Sequence, residues 1–131
     1  MIGIDTNVLV RYIAQDDPLQ SAKATRLMEA LSHEAPGFVS LVALVELVWV
    51  LTGRYRSSRA DIALIVETLL RTREIRIEQS DKVWESVRLF ASSKADFADC
   101  LIERSGHEAQ CDYTATFDIA ATKTVGMRLV D

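Results

Sequence analysis

Two acidic residues stand in apolar segments, where a purely structural role is hard to explain. Asp5 is the only charged residue among the first ten, and it follows a short apolar segment. Glu46 is the only charged residue between Ser40 and Thr52, within a stretch that otherwise suits a protein core. Since a buried, unpaired carboxylate strongly destabilises a fold, each of these acids is expected to be paired, protonated or bound to a metal.

Three more acids fall at predicted element ends. Asp96 and Asp99 are three residues apart, so they share a face near a predicted helix N-terminus. Asp118 follows Thr116 and Phe117 at the end of a predicted strand. Converging carboxylates repel one another, and a hard divalent cation relieves that repulsion. A ligand set made only of oxygens favours Mg²⁺ or Mn²⁺, which suits phosphoryl chemistry because the metal activates water and stabilises the leaving oxygen.

A structural interpretation exists for most of these acids. Asp5 could cap the helix that follows it, and Asp118 could be a turn or cap residue. For Asp96 an N-cap role is as well supported as a role in a site. Glu46 is the hardest to explain structurally, because a core glutamate rarely lacks a partner.

Alternating strands and helices are predicted to position these acids. The apolar patterns predict strands over residues 1–4, 38–39, 74–78, 113–117 and 127–130. They predict helices over residues 7–14, 18–32, 42–52 (ended by Gly53), 81–91 and 97–107. A further helix, capped by Ser57 or Ser58, is predicted to carry Ile62, Ile65, Leu69 and Leu70. This alternation predicts an α/β domain of three layers, α/β/α, with a mainly parallel central sheet. Ligand sites in such sheets form at the carboxyl ends of the strands, where Asp5 and Asp118 are expected.

Length and composition narrow the class of protein. The chain has 131 residues, of which 49% are apolar, and we predict a single domain over residues 1–131. No apolar run is long enough to span a membrane, and no secretion signal is recognised at the N-terminus, so nothing points to secretion. The net charge of −4 is unusual for a nucleic-acid binder. However, Arg54, Arg56 and Arg59 form a basic cluster that could contact RNA, or else a solvated helix face with ion pairs.

The acidic positions, taken in order, resemble the four motifs of the PIN-domain family. Ile2 to Val10, with Asp5-Thr6-Asn7, resembles the first motif, and Ser40 to Leu51, with Glu46, resembles the second. Ala95 to Ile102, with Asp96 and Asp99, resembles the third motif, and Thr116-Phe117-Asp118 resembles the fourth. The resemblance covers essentially the whole chain.

The resemblance implies an activity and the residues that perform it. Asp5, Glu46, Asp99 and Asp118 would be the catalytic acids and ligands of Mg²⁺ or Mn²⁺, with Asp96 as an additional candidate ligand. Thr6, Asn7 and Thr116 match the polar positions that orient the acids. Small members of this kind resemble VapC toxins, which implies a cytosolic endoribonuclease of a type II toxin–antitoxin pair, a homodimer and a cognate VapB-like antitoxin. The chain departs from the pattern at Glu103, Arg104 and Ile119.

Other classes explain the acids less well. An aspartate-nucleophile phosphatase needs a second acid two residues after the first, and Asn7 stands there. A receiver-type phosphoacceptor domain needs paired early acids and a suitably placed late lysine, which Lys123 is not. No Gly-rich phosphate loop is present. A structure-specific DNA nuclease usually has additional helices, and a catalytically silent PIN fold that binds RNA or protein remains the main alternative.

Overall fold

The computed structural model describes residues 1–131, which form seven helices and five strands. The chain divides into two compact units, Met1–Ser80 and Asp81–Asp131. In the first unit, three parallel strands lie in the order β1-β2-β3, with bounds β1 (Ile2–Gly3), β2 (Gly37–Val39) and β3 (Ile75–Ile77). Four helices accompany them: α1 (Thr6–Ala14), α2 (Pro18–Ala30), α3 (Leu41–Gly53) and α4 (Arg59–Arg71).

The central strand β2 fixes the register of the first unit. Gly37 pairs with Ile2 on one side and with Ile75 on the other, so β2 contributes to both ladders. A side chain at Gly37 would come within 3.0 Å of both Ile4 and Leu31, which explains the glycine at this crowded position. Around the sheet, the core consists of fully buried aliphatic side chains, among them Leu9, Val39, Leu44, Leu47, Ile62 and Val66.

Side-chain caps set where the helices of the first unit begin. Asp17, Ser40 and Ser58 are the N-caps of α2, α3 and α4, and each accepts a hydrogen bond from a backbone N–H in the first turn. Of the two serines predicted to cap α4, Ser58 performs the role. The prediction that Gly53 caps the end of α3 was wrong: Gly53 is still helical, and Arg54 is the cap in a right-handed conformation. The left-handed residue of this loop is Arg56, with φ of 52°.

The second unit contains α5 (Ser80–Ala91), which begins at the unit boundary, followed by α6 (Phe97–Glu108), β4 (Ala115–Thr116), α7 (Ile119–Thr124) and β5 (Arg128–Leu129). Strands β4 and β5 pair in parallel, with Ala115 opposite Arg128. Phe90 and Phe97 pack edge to face with ring centroids 5.8 Å apart, which joins the end of α5 to the start of α6.

The predicted elements are all present. Four of the five strands are shorter than expected, and β2 begins one residue earlier than expected. Every strand pair is parallel, so the α/β prediction with a mainly parallel sheet is confirmed. Helix α7 was not predicted, because six residues are too few to show a helical period. None of the helices combines the length and the apolar character that crossing a membrane requires.

The N-cap of α4 gives a stability prediction. Ser58→Ala removes the oxygen that accepts the Asp61 N–H at 3.1 Å, so it should lower the free energy of unfolding by about 1 kcal/mol. Chemical denaturation of both serine variants measures this effect, with Ser57→Ala as the neighbouring control. An equal loss in Ser57→Ala would contradict the assignment of the cap to Ser58.

Candidate active site

The first acidic group lies at the carboxyl end of β1. Asp5 comes two residues after the last residue of β1 and is the N-cap of α1, where its Oδ1 accepts the N–H of Thr6 at 2.8 Å. Its side chain is exposed. One carboxylate oxygen therefore closes the strand-to-helix turn, and Oδ2 is the oxygen that this bond leaves to other partners.

Thr6 connects the first acid to Glu46. The Thr6 side chain is buried, and its Oγ1 lies 3.3 Å from Oε1 of Glu46 and 3.4 Å from the carbonyl oxygen of Ala43. The hydroxyl has a single proton, so it donates to one of these two acceptors at a time or shares the proton between them. Through this contact α1 holds the Glu46 carboxylate close to the turn that carries Asp5.

The expectation that Glu46 is a buried core glutamate was wrong, because its side chain is exposed. Helix α3 buries one face, which includes Leu44, Leu47 and Leu51, and exposes the opposite face with Glu46 on it. Val42 is 70% exposed and Trp49 is 78% exposed on that same face. An almost uniformly apolar helix shows no period in its sequence, so the sequence could not identify the buried side. Because Glu46 is exposed, its carboxylate needs no buried partner. What favours a functional role for Glu46 is its contact with Thr6.

The second acidic group lies in the second unit. Asp96 is the N-cap of α6 and accepts the N–H of Asp99 at 3.2 Å, so the predicted capping role of Asp96 is observed. Asp118 follows β4, is the N-cap of α7 and accepts the N–H of Ala120 at 2.8 Å. Thr116 positions this turn, because its Oγ1 accepts the N–H of Asp118 at 3.0 Å.

Asp99 is partly buried and lies within electrostatic range of Asp96 and Asp118. Partial burial raises the pKa of this carboxyl above its ordinary value, and the negative charges of Asp96 and Asp118 raise the pKa further. These three acids therefore face one another closely enough to interact, which is the situation that a divalent cation relieves. Within neither unit do three or more acidic, histidine or cysteine side chains already stand in position as a complete set of metal ligands. The donor chemistry fits Mg²⁺ or Mn²⁺, because every candidate ligand is a carboxylate oxygen.

Two of the three departures from the family pattern form an ion pair of their own. Arg104 donates from Nε and Nη2 to the two carboxylate oxygens of Glu103, at 2.6 and 2.8 Å. This bidentate pair raises the pKa of Arg104 and satisfies Glu103. Ile119, the third departure, is exposed as the first residue of α7.

The predicted basic cluster is on the surface. Arg54, Arg56 and Arg59 are all exposed, and the Arg54 guanidinium lies 5.5 Å from the centre of the Tyr55 ring. At the C-terminal end of α4, outside this cluster, Arg71 forms an ion pair with Glu67 at 3.7 Å.

A cluster of polar side chains joins the loop after α3 to the end of α1, and the sequence did not predict this cluster. Tyr55 donates to Asp16 at 2.6 Å, and Arg11 donates to Asp16 at 3.1 Å and to Gln20 at 2.8 Å. The Tyr55 bond lowers the pKa of Asp16, and the same bond raises the pKa of Tyr55. Tyr55 lies 39 positions from Asp16, so no local pattern could have revealed the contact.

Comparison with known proteins agrees with the geometry. The PIN domain family model matches residues 2–125, which include every acid described above. The chain is also 28% identical over 100 residues to a protein of Aquifex aeolicus (strain VF5) named VapC ribonuclease, a match that covers 75% of this chain and 73% of the relative. The predicted family and its three-layer α/β/α fold class are thereby confirmed.

The raised pKa of Asp99 predicts a pH-dependent gain in stability. Because the pKa in the folded chain lies above the unfolded value, ionised Asp99 opposes folding at neutral pH. This opposition weakens as the pH falls through the folded pKa and is gone below the unfolded value. Asp99→Asn should therefore raise Tm at pH 7 in EDTA, and the gain should shrink as the pH falls. Thermal denaturation across this range measures it, with the exposed Asp112→Asn as control. A gain that did not vary with pH would contradict the electrostatic origin.

Proposed function

The chain belongs to the PIN-domain family, and from this premise we propose that it is a metal-dependent endoribonuclease, the toxin of a type II toxin–antitoxin system. The observation that carries the proposal is the grouping of Asp96, Asp99 and Asp118 at the first turns of α6 and α7, where capping bonds hold two of the three carboxylates. In this group partial burial, and then the charges of Asp96 and Asp118, raise the pKa of Asp99. Acids with a purely structural role are normally placed where their charges do not repel one another. Acids grouped closely enough to repel one another can bind a cation, which relieves the repulsion. The named VapC ribonuclease relative supports RNA as the substrate.

We assign the catalytic roles to four acids. Asp5, Asp99 and Asp118 are the proposed ligands of Mg²⁺ or Mn²⁺, Glu46 is a proposed ligand that also orients the attacking water, and Asp96 is an additional candidate ligand. Three of these five carboxylates use Oδ1 to cap a helix, which holds the side chain rigidly. Thr6 and Thr116 contact Glu46 and the Asp118 backbone, and Asn7 is the third proposed orienting residue.

The bound metal would supply an activated water and would stabilise negative charge on the phosphate during an in-line displacement. The chain's own acids provide negative charge that is rigidly positioned before the substrate arrives. The proposed products carry 5′-phosphate and 3′-hydroxyl ends, since 2′-hydroxyl chemistry normally uses a pair of histidines. His33 and His107 lie in different units and belong to neither acidic group.

The assembly is also part of the proposal. We propose that residues 1–131 are one PIN domain, because the family match continues through both units. The exposed Val42 and Trp49 on α3 support a homodimer, since large apolar side chains are seldom left uncovered. We also propose that the protein is cytoplasmic and that a VapB-like antitoxin inhibits it by blocking the acids.

Metal-dependent cleavage is the decisive test. The purified chain, freed of any bound antitoxin, should cut single-stranded RNA with Mg²⁺ or Mn²⁺ and should lose this activity in EDTA. Asp5→Asn and Asp99→Asn should each lower the cleavage rate by at least about 100-fold, because each removes a negative charge from the proposed metal ligands. Gel electrophoresis of end-labelled RNA measures both the rates and the product ends.

Asp112→Asn serves as the matched control, because it makes the same change at an exposed aspartate outside both acidic groups. Cleavage that persisted in EDTA, or that survived both substitutions, would reject the mechanism. A wild-type chain that bound RNA without cutting it would point instead to a silent binding module.

The arginine cluster predicts a salt effect. If Arg54, Arg56 and Arg59 contact phosphates, replacing each with glutamine should weaken RNA binding and reduce the slope of log K against log salt by up to about one per residue. Fluorescence anisotropy in a KCl series measures the slope, and Arg73→Gln, at an exposed arginine just after the C-terminal end of α4, is the control. Unchanged slopes would show that these arginines do not contact phosphates and only form a solvated surface.

A further inference from the structure

A groove of about 280 Å³ runs between α1 and α2, beginning at the first turn of α1. Its apolar surface includes Val8 and Leu27, and its polar lining consists of Asn7, Arg11, Gln20 and Lys23. Asn7 is only two residues from Asp5, so the groove starts beside a proposed catalytic acid. No acidic side chain lines it.

The polar lining of the groove offers hydrogen-bond donors. Gln20 accepts from Nε of Arg11 at 2.8 Å through Oε1, which turns its Nε2 amide protons away from Arg11. Arg11 uses Nε and Nη1 for its bonds to Gln20, Asp16 and Tyr55, which leaves the two Nη2 protons for another acceptor. Lys23 adds an exposed ammonium group. Donors without a lining carboxylate favour an anionic, acceptor-rich ligand.

The groove is held rigid and is connected to the basic loop. Asp16 is bonded to both Arg11 and Tyr55, so it fixes the Arg11 guanidinium and ties the loop after α3 to the end of α1. Arg54 and Arg56 flank Tyr55 in that loop and are exposed. Basic groups therefore continue from Lys23 past Arg11 to the loop, all within the first unit.

We propose that the α1–α2 groove is a substrate subsite that binds one nucleotide of single-stranded RNA beside the cleaved bond. Lys23 and the Nη2 group of Arg11 contact a phosphate, Gln20 donates to a base or phosphate oxygen, and Val8 and Leu27 pack against the ribose or base. This inference rests on the proposed ribonuclease function, because it identifies how the substrate reaches Asp5. Single-stranded RNA is favoured over a protein segment because charge and donors dominate the polar lining.

Binding in the absence of cleavage tests the groove separately from catalysis. The full chain carrying Asp99→Asn would be titrated into a fluorescein-labelled 12-nucleotide RNA at several KCl concentrations. Lys23→Gln should weaken binding severalfold and lower the salt slope by about one, whereas Lys23→Arg should retain the slope. Arg76→Gln, on the edge strand β3, removes the same charge elsewhere in the unit and should change neither quantity.

Cross-linking locates the contact directly. RNA containing 4-thiouridine, irradiated on the full chain, should attach to the peptides of α1 and α2, and Lys23→Gln should reduce the yield. Unchanged binding and salt slope in Lys23→Gln, or cross-links confined to other elements, would overturn the proposal and leave the groove as a protein-binding surface. If the wild type failed to cleave RNA while Lys23-dependent binding persisted, the nuclease function would fail and the groove would stand as an RNA site.

Discussion

The strand-to-helix turns of this chain depend on side-chain oxygens that satisfy the free N–H groups at helix N-termini. Asp5, Asp96 and Asp118 each accept a first-turn N–H of the helix they precede. At the start of α3, Ser40 and Glu78 share this task, with Glu78 accepting the N–H of Leu41 at 2.8 Å. Without these bonds the first turns would leave backbone donors unsatisfied, and the elements that carry the acids would fray.

Helix capping does not conflict with the catalytic role that we propose for the same aspartates. A carboxylate that caps a helix uses one oxygen for the backbone, and its second oxygen remains an anionic ligand. The capping bond also limits the rotamers of the side chain, so less conformational entropy is lost when a cation binds. Capping by Asp96 and Asp118 is therefore compatible with their facing Asp99 and raising its pKa.

Some apolar side chains of the first unit are buried in its core, and others are exposed next to residues with proposed functions. Helix α3 buries leucines on one side and presents Trp49, Val42 and Glu46 on the other. Helices α1 and α2 pack together yet leave a donor-lined groove beside Asn7. The Asp16 contacts with Arg11 and Tyr55 then hold the basic loop against α1. The first unit thus combines two proposed catalytic acids, a proposed phosphate contact and a proposed association surface.

The sequence by itself determined the candidate acids and the order of every element except α7, because strand period, cap chemistry and isolated charges are local signals. Asp17 with Pro18 begins α2 as predicted, and Ser58 is one of the two serines predicted to cap α4. Only the tertiary structure decided which face of α3 is buried, because a uniformly apolar helix has no period. Glu46 lies on the exposed face. The Asp16–Tyr55 contact and the groove beside Asn7 likewise depend on residues far apart in the chain, which meet only when α1, α2 and the loop after α3 pack together.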